Sequence, residues 1–219
     1  HKLVKAAQSA IRINPLNHPS GLNVVRAMAA GKPHLLRLAV IIGRRWSPSG
    51  VRLTVGFLDN PPTALRKKIL SHMNAWAETA NVKFTESKTE PQVRSARLAS
   101  PPEDSGYWSY VGTEILEISP NKPTMNLEGF TMATPDSEFR RVVRHETGHT
   151  LGFPHEHVRR ALVKKIDVAK AIKYYAKTQG WTPDDVRNQV LTPIEESSLL
   201  GTLHADPHSI MCYEIPGEI

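Results

Sequence analysis

The sequence predicts an α+β fold built around a helix that carries a metal-binding motif. Three observations support this prediction. The chain has 219 residues, 40% of them hydrophobic and 22% charged, which is ordinary usage for a globular domain that buries a core. Strand-like segments and amphipathic helical segments both occur along it. Two histidines also lie four residues apart, so a helix would place both on one face.

The first half of the chain contains most of the strand signals. Pro61 and Pro62 open a helix after the first strand. The apolar stripe of this helix is formed by Leu65, Ile69, Met73 and Trp76. The segments with strand character are residues 51–58, 81–85, 93–98, 110–118 and 124–127.

The second half is mainly helical. Asp136 or Ser137 is predicted to cap the helix that carries the motif. Asp167 caps a following helix, and residues 182–185 (Thr-Pro-Asp-Asp) begin another, with proline at the first helical position and acids in the first turn. Residues 191–208 are predicted to form a loop.

The motif itself is H-E-x-x-H-x-x-G-x-x-H, and each fixed position has a chemical reason. His145 and His149 share a helix face and can bind one metal ion. Glu146 lies beside the first ligand, where its carboxylate can take a proton from a metal-activated water. Gly152 can end the helix in a left-handed conformation, so that His155 returns as the third ligand. Three protein ligands leave one zinc position open, which is typical of a catalytic site.

A second motif lies near the end of the chain. Residues 209–213 read Ser-Ile-Met-Cys-Tyr. Metzincins, the zinc proteases that carry the long histidine motif, have a methionine-containing turn downstream of the third histidine. Met211 fits this Met-turn, so the two motifs together predict a metzincin.

Within the metzincins the chain resembles the astacin family, on three segments. Glu156 follows the third histidine, as in astacins. Tyr213 ends the Met-turn in the astacin form S-x-M-x-Y. Residues 105–112 are similar to the astacin segment G-C-W-S-Y-V-G, with Tyr107 in place of the cysteine. The resemblance covers about residues 46–213.

The resemblance implies a two-lobed fold. The upper lobe, about residues 46–152, would hold a twisted, mostly parallel sheet and the active-site helix, and the lower lobe, about residues 153–219, would be smaller and mainly helical. Residues 124–127 are expected to be the edge strand above the cleft, where a peptide can add as a further strand. Residues 1–45 are expected to be an N-terminal extension or the remnant of a pro-segment, and the domain is expected to continue beyond Ile219.

The resemblance also implies the activity, a zinc-dependent endopeptidase that acts on protein or peptide substrates. Glu146 would be the general base, and His145, His149 and His155 would bind Zn²⁺. Tyr213 would bind zinc in the resting enzyme and then stabilise the oxyanion. The alternative class is a binding protein that has lost catalysis, but the intact Glu146 argues against it.

Several departures from the astacin pattern are visible. Cys212 is the only cysteine, so the chain cannot form the family's intrachain disulfides. We interpret Cys212 as an inert buried thiol, with a redox-sensitive thiol near the zinc as the alternative. Arg160 and Ala161 follow Arg159 where astacins have an acidic pair. These departures favour a bacterial member of the family.

The composition limits the classes of binding partner that we expect for this chain. The net charge is +7, but the basic residues form short separate groups, which are typical of solvated helix faces rather than of a nucleic-acid interface. No apolar run reaches the length of a membrane span. No nucleic-acid partner is therefore expected, and no oligomeric state is predicted. The resemblance to astacins implies a secreted or extracellular protein, although no signal peptide is visible in the sequence.

Residues 1–45 bear on regulation. They contain no Asp, Glu or Cys, so only His1, His18 and His34 are candidates for blocking the metal. We expect this segment to pack against the upper lobe and leave the cleft open.

Overall fold

The computed structural model describes residues 40–101, 104–201, 205–206, 208–212, 217 and 219. Most of the N-terminal segment, and Tyr213, therefore lie outside the described residues. The strands are β1 Val40–Ile41, β2 Val51–Phe57, β3 Val82–Glu86, β4 Val93–Ala96, β5 Tyr107–Ser109, β6 Met125–Leu127 and β7 Leu199–Leu200. The helices are α1 Thr63–Asn74, α2 Asp136–Glu138, α3 Arg144–Leu151, α4 Arg160–Val163, α5 Val168–Gln179 and α6 Pro183–Val186.

The central feature is a five-stranded sheet with the order β3-β2-β4-β6-β5. Strands β3, β2, β4 and β6 run parallel to one another, and β5 is antiparallel to β6. The predicted α+β fold with a mostly parallel sheet is confirmed. Strands β2, β3 and β4 match the predicted segments to within about two residues at each end.

The predicted edge strand, residues 124–127, is wrong. These residues correspond to β6, which lies between β4 and β5 and is buried along its whole length. The edge strand on this side of the sheet is β5. A central strand is covered by neighbours on both sides, whereas β5 is paired on one side only among the described residues and leaves its other backbone edge open.

The predicted strand at residues 110–118 is also wrong. Residues Gly112–Glu117 form a 3₁₀ helix instead. Gly112 has φ +56°, and a Cβ there would overlap the carbonyl oxygen of Arg44, so only glycine fits. This close approach turns the chain, and the β-branched side chains Thr113 and Ile115 are buried by the turn rather than by strand pairing.

The helix α1 confirms the predicted stripe. Leu65, Ile69 and Met73 are buried, whereas Trp76 lies just beyond the helix in the 3₁₀ segment Ala75–Glu78. The helix α1 begins after Pro62, as the proline pair predicts. Its apolar face joins a large hydrophobic cluster between the sheet and the active-site helix.

The active-site helix is a continuous run of α2, a π-helical segment Phe139–Val143 and α3. Its N-cap is Pro135, which makes no side-chain cap hydrogen bond, so the predicted caps Asp136 and Ser137 are wrong. Proline fixes the extended backbone before the helix without needing a side-chain acceptor. Asp136 instead contacts His72 and Lys68 on α1.

The chain beyond Gly152 has a smaller hydrophobic cluster of its own. Its buried members are Ala171, Tyr175, Val186 and Val190. The predicted helix starts are confirmed: Asp167 accepts a hydrogen bond from the Lys170 amide, and Thr182 and Asp185 form a capping box. The predicted loop at residues 191–208 contains the 3₁₀ segment Glu196–Ser198 and β7.

The first described residues of the chain contact two later segments. Strand β1 pairs antiparallel with β7, and the Ile41 amide donates to the carbonyl of Gly152 at 3.2 Å. No helix in the described part of the chain is long and apolar enough to cross a membrane.

Candidate metal centre

The two helical histidines are positioned by α3 and by its end. His145 and His149 lie one turn apart on this buried helix. Gly152 has φ +106°, and the Phe153 amide donates to the carbonyl of Gly148 at 3.0 Å. This left-handed end reverses the chain as predicted. His155 consequently turns back toward the helix.

The three imidazoles converge on one point. The Nε2 atom of His155 lies 3.1 Å from Nε2 of His149 and 3.2 Å from Nε2 of His145. These three side chains form a group whose ligand atoms all lie within 4.8 Å of one another. The spacing of the motif thus brings together the residues that the sequence predicted.

The hydrogen bonds behind the rings fit a metal. His145 Nδ1 lies 2.6 Å from the carbonyl oxygen of Ile210, and His149 Nδ1 lies 2.7 Å from that of Phe153. A carbonyl can only accept, so both Nδ1 atoms carry the proton and donate it. The Nε2 atoms of His145 and His149 then present lone pairs toward the same centre. Such orientation by a backbone acceptor is usual for histidine ligands.

The electrostatics of the rings also favour the neutral, ligating form. Burial lowers the pKa of His149 to about 3, with the neighbouring His145 as the next cause. Burial lowers the pKa of His145 and of His155 as well. Neutral imidazole nitrogens are the ligands that zinc accepts from histidine. The donor set therefore fits Zn²⁺.

Glu146 is a buried carboxyl group beside the first histidine. It is 5% exposed, and its Oε2 has no hydrogen-bond partner among the described residues. Burial raises the pKa of Glu146 to about 8, and the charge of Arg141 opposes this shift. A buried carboxyl group with a free oxygen is costly to a structure, which is a common property of groups that act on a substrate.

The Met-turn packs against the centre of α3. A Cβ at Gly148 would overlap Met211 Sδ, so the glycine makes room for the methionine. The Glu156 amide donates to the carbonyl of Met211 at 2.9 Å, which ties the turn to the segment after His155. Met211 is fully buried. Tyr213, the predicted fourth ligand, lies outside the described residues.

Cys212 is partly rather than fully buried, and its contacts favour the inert thiol over the redox-sensitive one. Its Sγ donates to the carbonyl of Asp206 at 3.4 Å. Burial raises the pKa of Cys212 to about 11, helped by the nearby Glu156 and Asp206 charges. A thiol with a raised pKa is a weak nucleophile and a weak metal ligand at neutral pH.

Several contacts around the candidate centre were not predicted from the sequence. Arg159 is 1% exposed, and its Nη1 lies 3.2 Å from Oε1 of the equally buried Glu156. The same Oε1 accepts from the Asp206 amide at 3.3 Å. Trp76 donates from Nε1 to the carbonyl of Arg144 at 3.0 Å. Some of these partners are distant in sequence, so only the fold reveals them.

The edge strand lies directly against the active-site helix. Ser109 Oγ is 3.0 Å from Thr150 Oγ1, and Trp46 donates from Nε1 to the Thr150 carbonyl at 2.7 Å. Thus β5 lies against the helix that carries His145 and His149. His157 is a further neighbour of the ligands, since its ring centroid lies 4.9 Å from that of His155.

Comparisons with known proteins agree with this geometry. A model of the astacin family of peptidases matches residues 41–214. Two structures of myroilysin are similar at 32% sequence identity: one has a TM-score of 0.72 and covers 81% of this chain and 84% of its own, and the other has a TM-score of 0.56 and covers 78% and 72%. The zinc metalloproteinase nas-27 of Caenorhabditis elegans is 33% identical over 104 residues, 47% of this chain. The chain spans only 21% of that relative's length.

Proposed function

We propose that this chain, which belongs to the astacin family of zinc metallopeptidases, is an endopeptidase that hydrolyses peptide bonds with Glu146 as general base. The observation that carries the proposal is the convergence of three histidine Nε2 atoms, together with the buried Glu146 next to His145 in the chain, whose Oε2 has no hydrogen-bond partner among the described residues. His145, His149 and His155 would hold the zinc ion. Bound zinc supplies Lewis-acid polarisation of the scissile carbonyl and lowers the pKa of water to about 7.

Glu146 moves the proton. Its carboxylate accepts a proton from the attacking water as the oxygen bonds to the carbonyl carbon, and it donates that proton to the leaving amine as the C–N bond breaks. The raised pKa of Glu146 suits the second half of this transfer. Because the carboxyl group holds its proton near neutral pH, it keeps that proton until the leaving amine accepts it. A nearby dication would favour the carboxylate in the first half.

Strand β5 would orient the substrate. The edge of β5 that no described strand covers offers backbone hydrogen-bonding groups to an extended peptide, which would lie beside α3. Tyr213, by the family resemblance, would donate a hydrogen bond to the developing oxyanion. We further propose that the protein is secreted, as astacins generally are; fractionation of cells and medium with an antibody against this chain tests that.

The decisive experiment compares the parent with Glu146→Gln, using a quenched fluorogenic peptide library and metal analysis. Glu146→Gln should keep about one zinc per chain and lose roughly 100- to 10,000-fold in cleavage rate, the range for loss of a general acid–base group. Glu78→Gln, a change of an exposed carboxyl group outside the active-site helix, is the matched control. Cleavage by zinc-loaded Glu146→Gln at the parent rate would refute the assignment.

Two further variants test the ligands and the tyrosine. His149→Ala should lose the zinc, because one lone pair of the converging set is removed. Tyr213→Phe should keep zinc and lose less activity than Glu146→Gln, since it removes a single hydrogen-bond donor. Full zinc occupancy in His149→Ala would contradict the ligand set.

A further inference from the structure

Two hydroxyl groups connect the edge strand to the active-site helix. Ser109 Oγ on β5 lies 3.0 Å from Thr150 Oγ1 on α3. Thr150 Oγ1 also lies 3.3 Å from the carbonyl oxygen of Glu146, one turn earlier in the helix, and Ser109 Oγ lies 3.0 Å from that of Tyr110. The two hydroxyls therefore link the backbone of the proposed general base to the backbone at the end of β5.

The hydrogen-bonding capacity of the two side chains matches this arrangement. A hydroxyl group has one proton to donate and can also accept. Either hydroxyl can donate to the other while the accepting one donates onward to its own carbonyl, Thr150 to Glu146 or Ser109 to Tyr110. If one hydroxyl is removed, the other still has a backbone acceptor. Single substitutions at these positions therefore leave no buried hydroxyl without a partner.

The hydroxyl group of Thr150 is not needed by the helix itself. Thr150 is completely buried in α3. A β-branched residue has a lower helix propensity than alanine, and a buried hydroxyl is unfavourable unless it is hydrogen-bonded. A helix packed on an apolar core requires neither feature at this position. The contact with Ser109 on β5 is what this side chain adds.

The strand β5 is held weakly by its own sheet. It has three residues and pairs with β6 from Tyr107 opposite Leu127 to Ser109 opposite Met125. Its other edge is not covered by any described strand, and Tyr107 is 45% exposed. A short segment with little buried surface opens locally at low cost. The position of β5 relative to α3 therefore depends on contacts outside the sheet.

We propose that Ser109 and Thr150 are positioning residues that hold the substrate-binding edge of β5 in alignment with the helix that carries the zinc ligands. The inference rests on the proposed function, which places the peptide on β5. Without this hydrogen bond β5 samples displaced positions, and the apparent affinity for the peptide falls with the fraction of molecules that are aligned. A peptide that has bound meets the same catalytic groups as before. The loss therefore falls on KM rather than on kcat.

The test measures KM and kcat with a fluorogenic peptide that extends along the whole of β5. In Thr150→Val and in Ser109→Ala, KM should rise roughly three- to tenfold, the effect of one hydrogen bond, while kcat stays near the parent value. Thr150→Ser keeps the hydroxyl and should restore the parent KM. The double variant should be no worse than either single variant, because all three lose the same bond.

Thr178→Val is the matched control. Thr178 is an exposed residue of α5 that donates to the carbonyl of Tyr174 at 2.9 Å, the same bond to the preceding turn but without a partner on β5. This variant should leave KM unchanged. Zinc content should equal that of the parent in all of these variants, since none of them changes a ligand.

Two measurements test the proposal without turnover. In zinc-loaded Glu146→Gln protein, adding Thr150→Val should raise the Kd of the same peptide roughly three- to tenfold. Amide hydrogen exchange of residues 107–110 needs no peptide at all. It should be faster in Thr150→Val and Ser109→Ala and return to the parent rate in Thr150→Ser. These two results separate the failure of this proposal from failure of the proposed peptidase activity.

Three outcomes would overturn the positioning role. The first is an unchanged KM, or an unchanged rate of exchange in β5, when either hydroxyl is removed. The second is a loss that lies in kcat with KM unchanged, which would place the defect in the catalytic groups. The third is additive losses in the double variant, which would show that the two hydroxyls act independently.

Discussion

The helices before and after Gly152 are stabilised in different ways. Helices α1 and α2–α3 have no side-chain cap, and they pack on a large cluster of seventeen buried hydrophobic residues beneath the sheet. Helices α5 and α6 have the Asp167 cap and the Thr182–Asp185 capping box, but their cluster has four buried members in the part of the chain that the structure describes. Extensive apolar burial makes caps dispensable, whereas a small core leaves helices more dependent on local polar contacts.

The candidate metal centre joins these two regions. His145 and His149 come from the helix held by the large cluster. His155 and Met211 come from the chain beyond Gly152, where the contacts are a buried ion pair and backbone hydrogen bonds. A metal ion would therefore link a region held by apolar packing to one held by polar contacts.

Removing the metal should cause the largest loss of stability, because the metal links the two regions. A ligand that binds only the folded state at a thousand times its Kd stabilises by about 4 kcal/mol, and chelation removes this term. Buried histidines with lowered pKa bind protons more readily in the unfolded chain, so the zinc-free protein should lose stability as the pH falls below 6.5. Thermal unfolding of chelated protein at pH 7 and pH 5.5 measures this loss.

Glu146 acts in the opposite direction. Its folded-state pKa is raised from 4.5 to about 8, so acidification through that window favours the folded state. Below pH 6.5 the stability lost through the three histidines exceeds the stability gained through the single Glu146 carboxyl group. The net effect of acidification on the zinc-free protein is therefore destabilising. The zinc-free triple variant His145→Gln/His149→Gln/His155→Gln should be stabilised by the same acidification. An equal pH response in both proteins would contradict this account.

The region beyond Gly152, which is held by polar contacts, depends on Arg159. Arg159→Ala removes the buried cation next to the Glu156 carboxylate, and losing one member of a buried ion pair costs about 3–5 kcal/mol. Denaturant unfolding should show this loss. Arg160→Ala, whose side chain is 52% exposed and 3.9 Å from Glu195, should change stability by less than about 0.5 kcal/mol. Similar results for the two arginines would show that the ion pair is dispensable.

The parts of this molecule that sequence could predict are those fixed by local rules. The helix repeat places His145 four residues before His149, and Gly152 ends the helix by its own conformational freedom. The caps Asp167 and Thr182 are likewise local, since each side chain bonds an amide three residues ahead. Each of these features needs no knowledge of the rest of the chain.

The sequence predictions were wrong where contacts between residues far apart in the chain determine the local structure. Whether β5 or β6 is the edge strand depends on the order of pairing in the sheet, which residues 124–127 alone do not encode. The turn at Gly112 follows from its approach to Arg44. Asp136 would be an ordinary cap in isolation, but Pro135 starts the helix and His72 and Lys68 contact the carboxylate. The bacterial origin and the domain boundaries stay predictions.

The tight contact across the two regions can be tested at Gly148. Gly148→Ala introduces a methyl group against Met211, and overpacking of this kind costs about 1–3 kcal/mol, partly offset by the better helix propensity of alanine. We expect a net loss and a weaker zinc affinity. The loss should shrink when Met211→Ala is added. Gly43→Ala, where a Cβ meets nothing within 4 Å, is the control. If the losses of stability in the double variant were additive, the cost of Gly148→Ala would not come from its contact with Met211.

The smallest effect sharpens the contrast between the capped and uncapped helices. Asp167→Ala removes the side-chain acceptor of the Lys170 amide, 3.1 Å away, and should cost about 1 kcal/mol. Ser137→Ala in the exposed first turn of α2 removes no cap hydrogen bond and should change stability by less than about 0.5 kcal/mol. The free energy of unfolding from denaturant titration compares the two at one pH. If Ser137→Ala were the more damaging change, the active-site helix would depend on its first turn after all, and the large apolar cluster would not be sufficient to hold it.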